Sequence, residues 1–162
     1  MQRHRQPQPQ FAVRMRAMTT QDIPQVHKLE QEIFPQDAWP LPIFLAEIKE
    51  PGRTYLVLEQ QGSIIGYAGS MTLAETADIQ TIAIHKQHRR YGYGTALLNR
   101  LEEEAGQAGA ERVLLEVRAD NPGAQKLYLR QGYRKIHQRR GYYGGGVDAI
   151  IMQKNLESSQ AS

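Results

Sequence analysis

The sequence is most informative at the segment His85-Lys86-Gln87-His88-Arg89-Arg90-Tyr91-Gly92-Tyr93-Gly94-Thr95. This segment leaves a predicted strand and enters a helix whose apolar residues recur at steps of three and four. A helix N-terminus presents unpaired amides and partial positive charge, and glycine lets a phosphate approach those amides closely. Arg89 and Arg90 add charge beside them. The turn therefore predicts a pyrophosphate site, although Gly92 and Gly94 are also compatible with a tight turn alone.

The sequence lacks the motifs of dinucleotide, nucleoside-triphosphate, metal and serine-nucleophile sites. The turn has no third glycine, as a dinucleotide site requires, and no Gly-Lys-Ser/Thr, as a nucleoside-triphosphate loop requires. The chain has no cysteine, so an acyl group could not pass through a thioester on the protein. The five histidines form no ligand pattern, and no Gly-x-Ser-x-Gly elbow is present. We therefore predict no catalytic metal and no serine nucleophile.

Length and composition predict one soluble domain. A chain of 162 residues suits a single core, and no apolar run approaches the roughly 20 residues that span a bilayer. Residues 1–10 are predicted to be a disordered basic tail, 11–156 the folded domain and 157–162 a second disordered tail. We expect a cytoplasmic protein without a membrane partner. The net charge of +3 is compatible with an anionic ligand or an RNA-rich neighbour, and equally with a solvated surface of mixed sign.

Apolar periodicity and turn signals divide the folded part into alternating elements. The predicted strands cover residues 12–17, 55–60, 64–73, 77–85, 112–118, 133–138 and 148–155. The predicted helices run from an N-cap at Thr20 to about residue 34, over 44–49, over 94–108, and from a cap at Asp120 or Asn121 to Arg130. This order predicts an α/β layered domain around a mixed sheet.

Three motifs in this order carry a resemblance to a known family. They are Arg-x-x-Gly-x-Gly at 89–94, Leu-Leu-Glu-Val-Arg at 114–118, and Asn-x-x-Ala-x-x-Leu-Tyr-x-x-x-Gly-Tyr at 121–133. Together they resemble the GNAT superfamily of acetyltransferases, which implies a mixed, mostly antiparallel central sheet with helices on both faces. Ile-Ala-Ile at 82–84, Arg-Arg-x-Tyr-Tyr at 139–143 and Asp-Ala-Ile-Ile-Met at 148–152 are similar to the bacterial branch that acetylates the N-terminal alanine of a ribosomal protein.

The resemblance implies acetyl-coenzyme A as co-substrate and assigns residues to it. The backbone of residues 82–84 would lie along the pantetheine arm and the thioester carbonyl; an ordinary, fully paired strand is the alternative. Arg89 stands where the family often has Gln, and Asn121 is equally well explained as a helix N-cap. The implied cofactor-binding set is Ile82, Ala83, Ile84, Arg89, Arg90, Tyr91, Gly92, Tyr93, Gly94, Thr95 and Asn121.

Two residues carry the chemistry that the resemblance implies. Glu116, a carboxylate in an otherwise apolar strand, would be the general base that deprotonates the attacking amine, directly or through water. Tyr128 would be the general acid that protonates the departing thiolate. From the residues alone, Glu116 could instead face solvent or pair with Arg112 or Arg118, and Tyr128 could be a packing aromatic.

Acceptor specificity is expected from two irregular segments, 34–42 with Trp39 and 140–146 with Tyr142 and Tyr143. These aromatic residues could also simply cover the core. The first segment, Phe-Pro-Gln-Asp-Ala-Trp-Pro, departs from the family's shorter Phe-Pro-Trp form. The expected partner is a ribosomal-protein N-terminus, with no need for direct nucleic-acid binding. Other amines as acceptors, and a non-catalytic domain that binds acyl-coenzyme A, are the alternatives.

Overall fold

The structure is a computed structural model that describes residues 12–157. The predicted tail over residues 1–10 lies outside this range, as do residues 158–162 of the second tail, so both tails and the domain limits remain predictions. Among the described residues, no helix is both long and apolar enough to cross a bilayer.

Seven strands and four helices follow one another in nearly the predicted order. The strands are β1 (Arg14–Ala17), β2 (Arg53–Gln60), β3 (Ser63–Leu73), β4 (Thr76–Ile84), β5 (Arg112–Arg118), β6 (Arg134–Tyr143) and β7 (Val147–Asn155). The helices are α1 (Ile23–Ile33), α2 (Leu41–Glu47), α3 (Tyr93–Gln107) and α4 (Pro122–Arg130).

The strands form one sheet in the order β1-β2-β3-β4-β5-β7-β6. Every pair is antiparallel except β4 and β5, which are parallel and are connected through α3. The turn between β2 and β3 holds Gln61 and Gly62, both with positive φ, as a tight two-residue hairpin requires. The mixed, mostly antiparallel sheet confirms the predicted fold class.

Alternate residues of β2 show that helices cover both faces of the sheet. Tyr55 and Val57 pack with α1 and α2, whereas Leu56 and Leu58 pack with Leu97 and its neighbours on α3. Since successive side chains of a strand point to opposite faces, α1 and α2 lie on one face and α3 on the other. Helix α4 joins the α3 face, because Tyr128 belongs to the same buried cluster as Val113, Leu115 and Val117 of β5.

Several predicted boundaries differ from the structure, and two of these differences have a clear physical reason. Thr20 is not the cap: Thr19 precedes a 3₁₀ turn over Thr20–Asp22, and the Asp22 carboxylate accepts the Thr19 backbone N–H at 2.8 Å. The second error is the loop expected over 140–146. Strand β6 continues to Tyr143, which pairs with Val147, and only Gly144–Gly146 form the connecting turn. The glycine-rich composition suggested a loop, but pairing with β7 extends the strand.

Candidate active site

The sheet opens between β4 and β5. These strands pair only over residues 76–79 of β4 and 112–115 of β5, and beyond that point they separate. The register of β4 against β3 shifts at the same place, because Gln80 is an extra residue between the pairs formed by Ile79 and Thr81. A bulge bends a strand locally, so this one turns the end of β4 away from β5. The opening lies between the end of β4, residues 80–84, and the end of β5, residues 116–118.

The backbone of Ile82 and Ile84 faces this opening. The His85 N–H donates to the Ile65 carbonyl at 2.8 Å, which makes residue 85 a hydrogen-bonded partner of β3. Because amide direction alternates along an antiparallel strand, residues 82 and 84 direct their N–H and C=O groups away from β3. The fully paired alternative for this strand is therefore absent on the β5 side of residues 80–84. The Ala83 side chain is buried against the α1 face.

The glycine turn closes the same end of the sheet at the start of α3. Gly92 is the N-cap with φ 79°, and Arg90 also has a positive φ of 73°. Gly94 differs, because its φ is not in the left-handed region and an added Cβ would meet only Leu127, at 3.8 Å. Neither backbone conformation nor packing within the described residues requires a glycine at position 94. Close approach of a ligand to the helix N-terminus does explain it.

The other residues predicted at the turn are mostly exposed. Arg90 and Tyr91 lie in solvent, and Tyr93 and Thr95 are partly buried in the first turn of α3. Arg89 has a structural role, since its Nε donates to the Ile84 carbonyl at 3.1 Å. Asn121 caps α4 by accepting the Ala124 N–H at 3.1 Å, as the alternative reading held. A role of these residues toward coenzyme A remains a prediction.

Glu116 stands on β5 at the opening, on the face that α1 and α2 cover elsewhere. Its side chain is 36% exposed and lies 3.8 Å from a guanidinium nitrogen of Arg139. The suggested pairing with Arg112 or Arg118 is wrong, because Arg112 lies near Glu75, and Arg118 binds Asp37 and Asp120. A weak, partly exposed ion pair leaves the carboxylate accessible to an incoming cation.

Arg118 connects the two segments expected to bind the acceptor. Its Nη1 donates to Asp37 Oδ2 at 2.7 Å, and its guanidinium lies 4.9 Å from the centre of the Tyr143 ring. Asp37 belongs to the connection between α1 and α2, and Tyr143 ends β6. Arg118 shares a face of β5 with Glu116, two residues earlier. It was missed as a site residue, although period-two alternation from Glu116 could have indicated it.

The three aromatic residues expected at the acceptor site divide into two groups. Tyr142 and Tyr143 pack edge to face at 5.2 Å, and Arg139 stacks on Tyr142 at 5.5 Å, so both tyrosines lie beside Glu116. Burial and the nearby Glu116 carboxylate raise the pKa of Tyr143. Trp39 instead packs on Phe44 at 5.2 Å among core residues. The structure therefore groups Tyr142 and Tyr143 with Glu116 but not Trp39.

Tyr128 lies on the other side of β5. Its side chain is 7% exposed and packs edge to face with Tyr133, at 6.0 Å between ring centres. Burial, with a smaller contribution from Tyr143, raises the pKa of Tyr128 to about 12. The phenol is therefore protonated at neutral pH, as a proton donor must be. Among residues 12–157, no three His, Asp or Glu side chains are arranged to hold a metal ion.

The sheet opens between two parallel strands, and a helix N-terminus with a glycine turn lies at this opening. The chain belongs to the Acetyltransferase (GNAT) family, which matches residues 23–133, more than half of the sequence. This confirms the resemblance found in the motifs.

Two relatives that match over most of the chain are named as N-terminal acetyltransferases. The chain is 33% identical over 145 residues to "N-alpha-acetyltransferase RimI" of Mycobacterium tuberculosis, covering 86% of this chain and 90% of that protein. It is 34% identical over 143 residues to the ribosomal protein bS18-alanine N-acetyltransferase of Escherichia coli, covering 84% and 93%. The crystal structure of the S18-alanine enzyme from Escherichia coli superposes with a TM-score of 0.82 at 27% identity, covering 93% and 98%.

A more distant structure supports the fold alone. Arabidopsis thaliana NAA60, solved in complex with acetyl-CoA, has a TM-score of 0.81 at 18% identity and covers 90% of this chain and 99% of that one.

Proposed function

We propose that this protein transfers the acetyl group of acetyl-coenzyme A to the N-terminal α-amine of a ribosomal protein that begins with alanine. The observation that carries the proposal is the position of Glu116, an accessible carboxylate beside the opening onto which the Ile82 and Ile84 backbone groups face. The names of the Mycobacterium and Escherichia relatives support an α-amine acceptor, and the Escherichia name supports an N-terminal alanine of a ribosomal protein.

The co-substrate fits the residues around the opening. The first amides of α3 and the surface left by Gly94 suit the pyrophosphate of coenzyme A, with Arg90 beside them. The backbone groups of Ile82 and the Ile84 N–H, which no strand pairs on this side, suit an extended pantetheine arm, which pairs with a strand edge through its own amides. The thioester would then reach the level of Glu116.

The first chemical step is removal of a proton from the acceptor. An α-ammonium group has a pKa near 7.7 to 8.0, against roughly 10.4 for a lysine side chain, so a carboxylate base at neutral pH suits the former better. Glu116 accepts one proton, directly or through water, and the amine nitrogen attacks the thioester carbonyl carbon. The C–N bond forms while the carbonyl oxygen becomes an oxyanion. A backbone N–H of residue 82 or 84 can stabilise that charge, a contribution of roughly 3 kcal/mol in other acyl transfers.

Collapse of the intermediate breaks the C–S bond and releases the thiolate. Tyr128 is a weak acid with its pKa near 12, so donating a hydrogen bond to the departing sulfur is its first role. The proton completes the thiol as the negative charge localises on sulfur, and the phenolate regains a proton from the nitrogen, which loses its second proton on becoming an amide. The products are the N-acetyl peptide and coenzyme A.

The rim of the opening supports recognition of a peptide end. Asp37, Arg118 and Tyr143 form one contact chain across it, and Tyr142 lies 51% exposed beside them. These groups offer a carboxylate, hydrogen-bond donors and aromatic faces to the first residues of an acceptor. Direct attack within a ternary complex follows from having both substrates at one opening.

The test is thiol release from acetyl-coenzyme A with three matched peptides. One begins with a free alanine, the second is the same peptide acetylated at its N-terminus, and the third is the acetylated peptide carrying one lysine. Turnover confined to the free alanine end is expected. Turnover on lysine would replace the α-amine by another acceptor, and tight coenzyme A binding without any turnover would support a non-catalytic domain instead.

A further inference from the structure

A buried carboxyl group lies beneath the active site and has no part in the chemistry described above. Glu30, near the C-terminal end of α1, is 2% exposed. The donors around it are the Tyr67 hydroxyl of β3, the Thr81 hydroxyl of β4 and the backbone N–H of Trp39. One side chain thus gathers groups from three separate parts of the chain. A buried carboxyl group costs stability, so its presence calls for a reason.

Two of these neighbours belong to opposite sides of the reaction. Thr81 directly precedes Ile82 and follows the bulged residue Gln80, so it belongs to the strand end proposed to bind the thioester. Trp39 belongs to the connection that holds Asp37, whose carboxylate binds Arg118 at 2.7 Å on the acceptor side. Glu30 is therefore the buried point through which the acceptor side and the cofactor side contact the same group.

We propose that Glu30 is a positioning residue for acetyl transfer, which holds the connection at Trp39 and the bulged end of β4 in one fixed relative arrangement. The inference rests on the proposed function, since it concerns how the two substrates of that reaction are aligned. Misplacement of reacting groups by about 1 Å can lower a rate by 100-fold, so fixing this distance matters for turnover.

Two features of the contacts support this role. The Glu30 Oε2 atom and the Tyr67 hydroxyl have no partner at full hydrogen-bond geometry within residues 12–157, although the two groups are neighbours. A buried polar atom without a partner costs free energy, so hydrogen bonds that form here when substrates bind would stabilise the arrangement. The bulged residue has a further side-chain contact, because the Tyr55 hydroxyl donates to Gln80 Oε1 at 2.6 Å.

The test compares Glu30→Gln with a matched variant of another buried acid. Gln keeps the shape of the side chain but has one acceptor oxygen instead of two. Asp22→Asn is the control, because Asp22 is also buried, at 6% exposed, and binds Arg16 and Thr19 away from the opening. Thr81→Val is the second test variant, and it removes only the donor on the β4 side.

We expect Glu30→Gln to lower kcat at least about 10-fold and Thr81→Val to lower it less, with KM for acetyl-coenzyme A changed by under about twofold in both. Asp22→Asn should keep kcat while losing stability. Equal kcat in wild type and Glu30→Gln, or the same loss in Asp22→Asn, would overturn the proposal.

Hydrogen exchange provides a reading that does not depend on turnover. Glu30→Gln should speed exchange of the Trp39 amide and of the amides of residues 80–82 with coenzyme A bound, while Asp22→Asn leaves both unchanged. If wild type transfers no acetyl group, the proposed function fails, and the exchange rates still decide the positioning role. Unchanged exchange at both places in Glu30→Gln would refute it.

Discussion

Replacing Glu30 by Gln should change how stability depends on pH. Burial raises the pKa of Glu30 from 4.5 to about 7, and the nearby polar groups of Tyr67, Trp39 and Thr81 offset this only in part. The folded protein therefore binds this proton more tightly than the unfolded chain does. The stabilisation that comes from the protonated carboxyl is complete below pH 4.5 and is lost as the pH rises through about 7.

The size of the effect follows from the two pKa values. Each unit of pKa corresponds to about 1.4 kcal/mol, so ionising Glu30 should cost wild type about 3 kcal/mol between pH 4.5 and pH 8. The side chain is only 2% exposed, so solvent screening hardly reduces this figure. Gln cannot ionise, so the variant does not lose this stability. The difference between its free energy of unfolding and that of wild type should therefore increase by this amount from pH 4.5 to pH 8.

Urea unfolding at pH 4.5, 6, 7 and 8 measures the difference between the two proteins. Asp22→Asn is the control, since Arg16 lowers the pKa of Asp22 to about 2 and its contribution is lost only as the pH falls toward that value. Its difference from wild type should be constant over the range tested. A constant difference for Glu30→Gln as well would show that burial does not penalise this carboxylate, and the reasoning would be wrong.

Four further substitutions test the site. Gly94→Ala should leave stability unchanged or raise it by up to about 1 kcal/mol, yet weaken coenzyme A binding in calorimetry, whereas Gly92→Ala should lose about 1 kcal/mol because of its left-handed φ of 79°. Glu116→Gln should lower kcat by about 100-fold or more with unchanged coenzyme A affinity, and loss of that affinity would instead indicate a structural role. Arg118→Met should raise KM for the peptide more than KM for acetyl-coenzyme A, since it separates Asp37 from Tyr143; equal changes in steady-state kinetics would contradict this.

Local sequence signals predicted most of the elements, and the physical reasons are specific. The α3 helix has a regular apolar face and a glycine before it, and β5 alternates between buried and exposed residues. The end of β6 was predicted too early because Gly141 and the three glycines after Tyr143 suggest a loop. Its pairing with β7 and the hydrogen bond from Gly141 N–H to Asp148 Oδ1, at 2.9 Å, depend on how the β6–β7 hairpin closes, which composition does not encode.

The sequence predicted only those residues of the candidate site that belong to recognisable motifs. Glu116 and the glycine turn stand in motifs, and the structure places both at the opening. The contacts of Arg118 with Asp37, 81 residues away, and the group around Glu30 depend on how distant segments meet in the fold. The separation of Trp39 from Tyr142 and Tyr143 also depends on the fold. The sequence does not show which aromatic residue packs in the core and which lies at the opening.

In the proposed reaction, the different environments of Glu116 and Tyr128 give a reason for the direction of proton transfer. Glu116 is on the solvent-accessible face of β5, so a proton taken from the ammonium can pass to water before the next turnover. Tyr128 is buried on the other face, where the cost of an isolated phenolate keeps it protonated. In that reaction, the base is open to water and the acid is shielded from it, on two faces of one strand. The base would deprotonate the acceptor amine and the acid would separately protonate the leaving thiolate. In the proposed reaction, one substrate would reach both faces through the opening between β4 and β5, so the bulge at Gln80 would belong to the chemistry as well as to the fold.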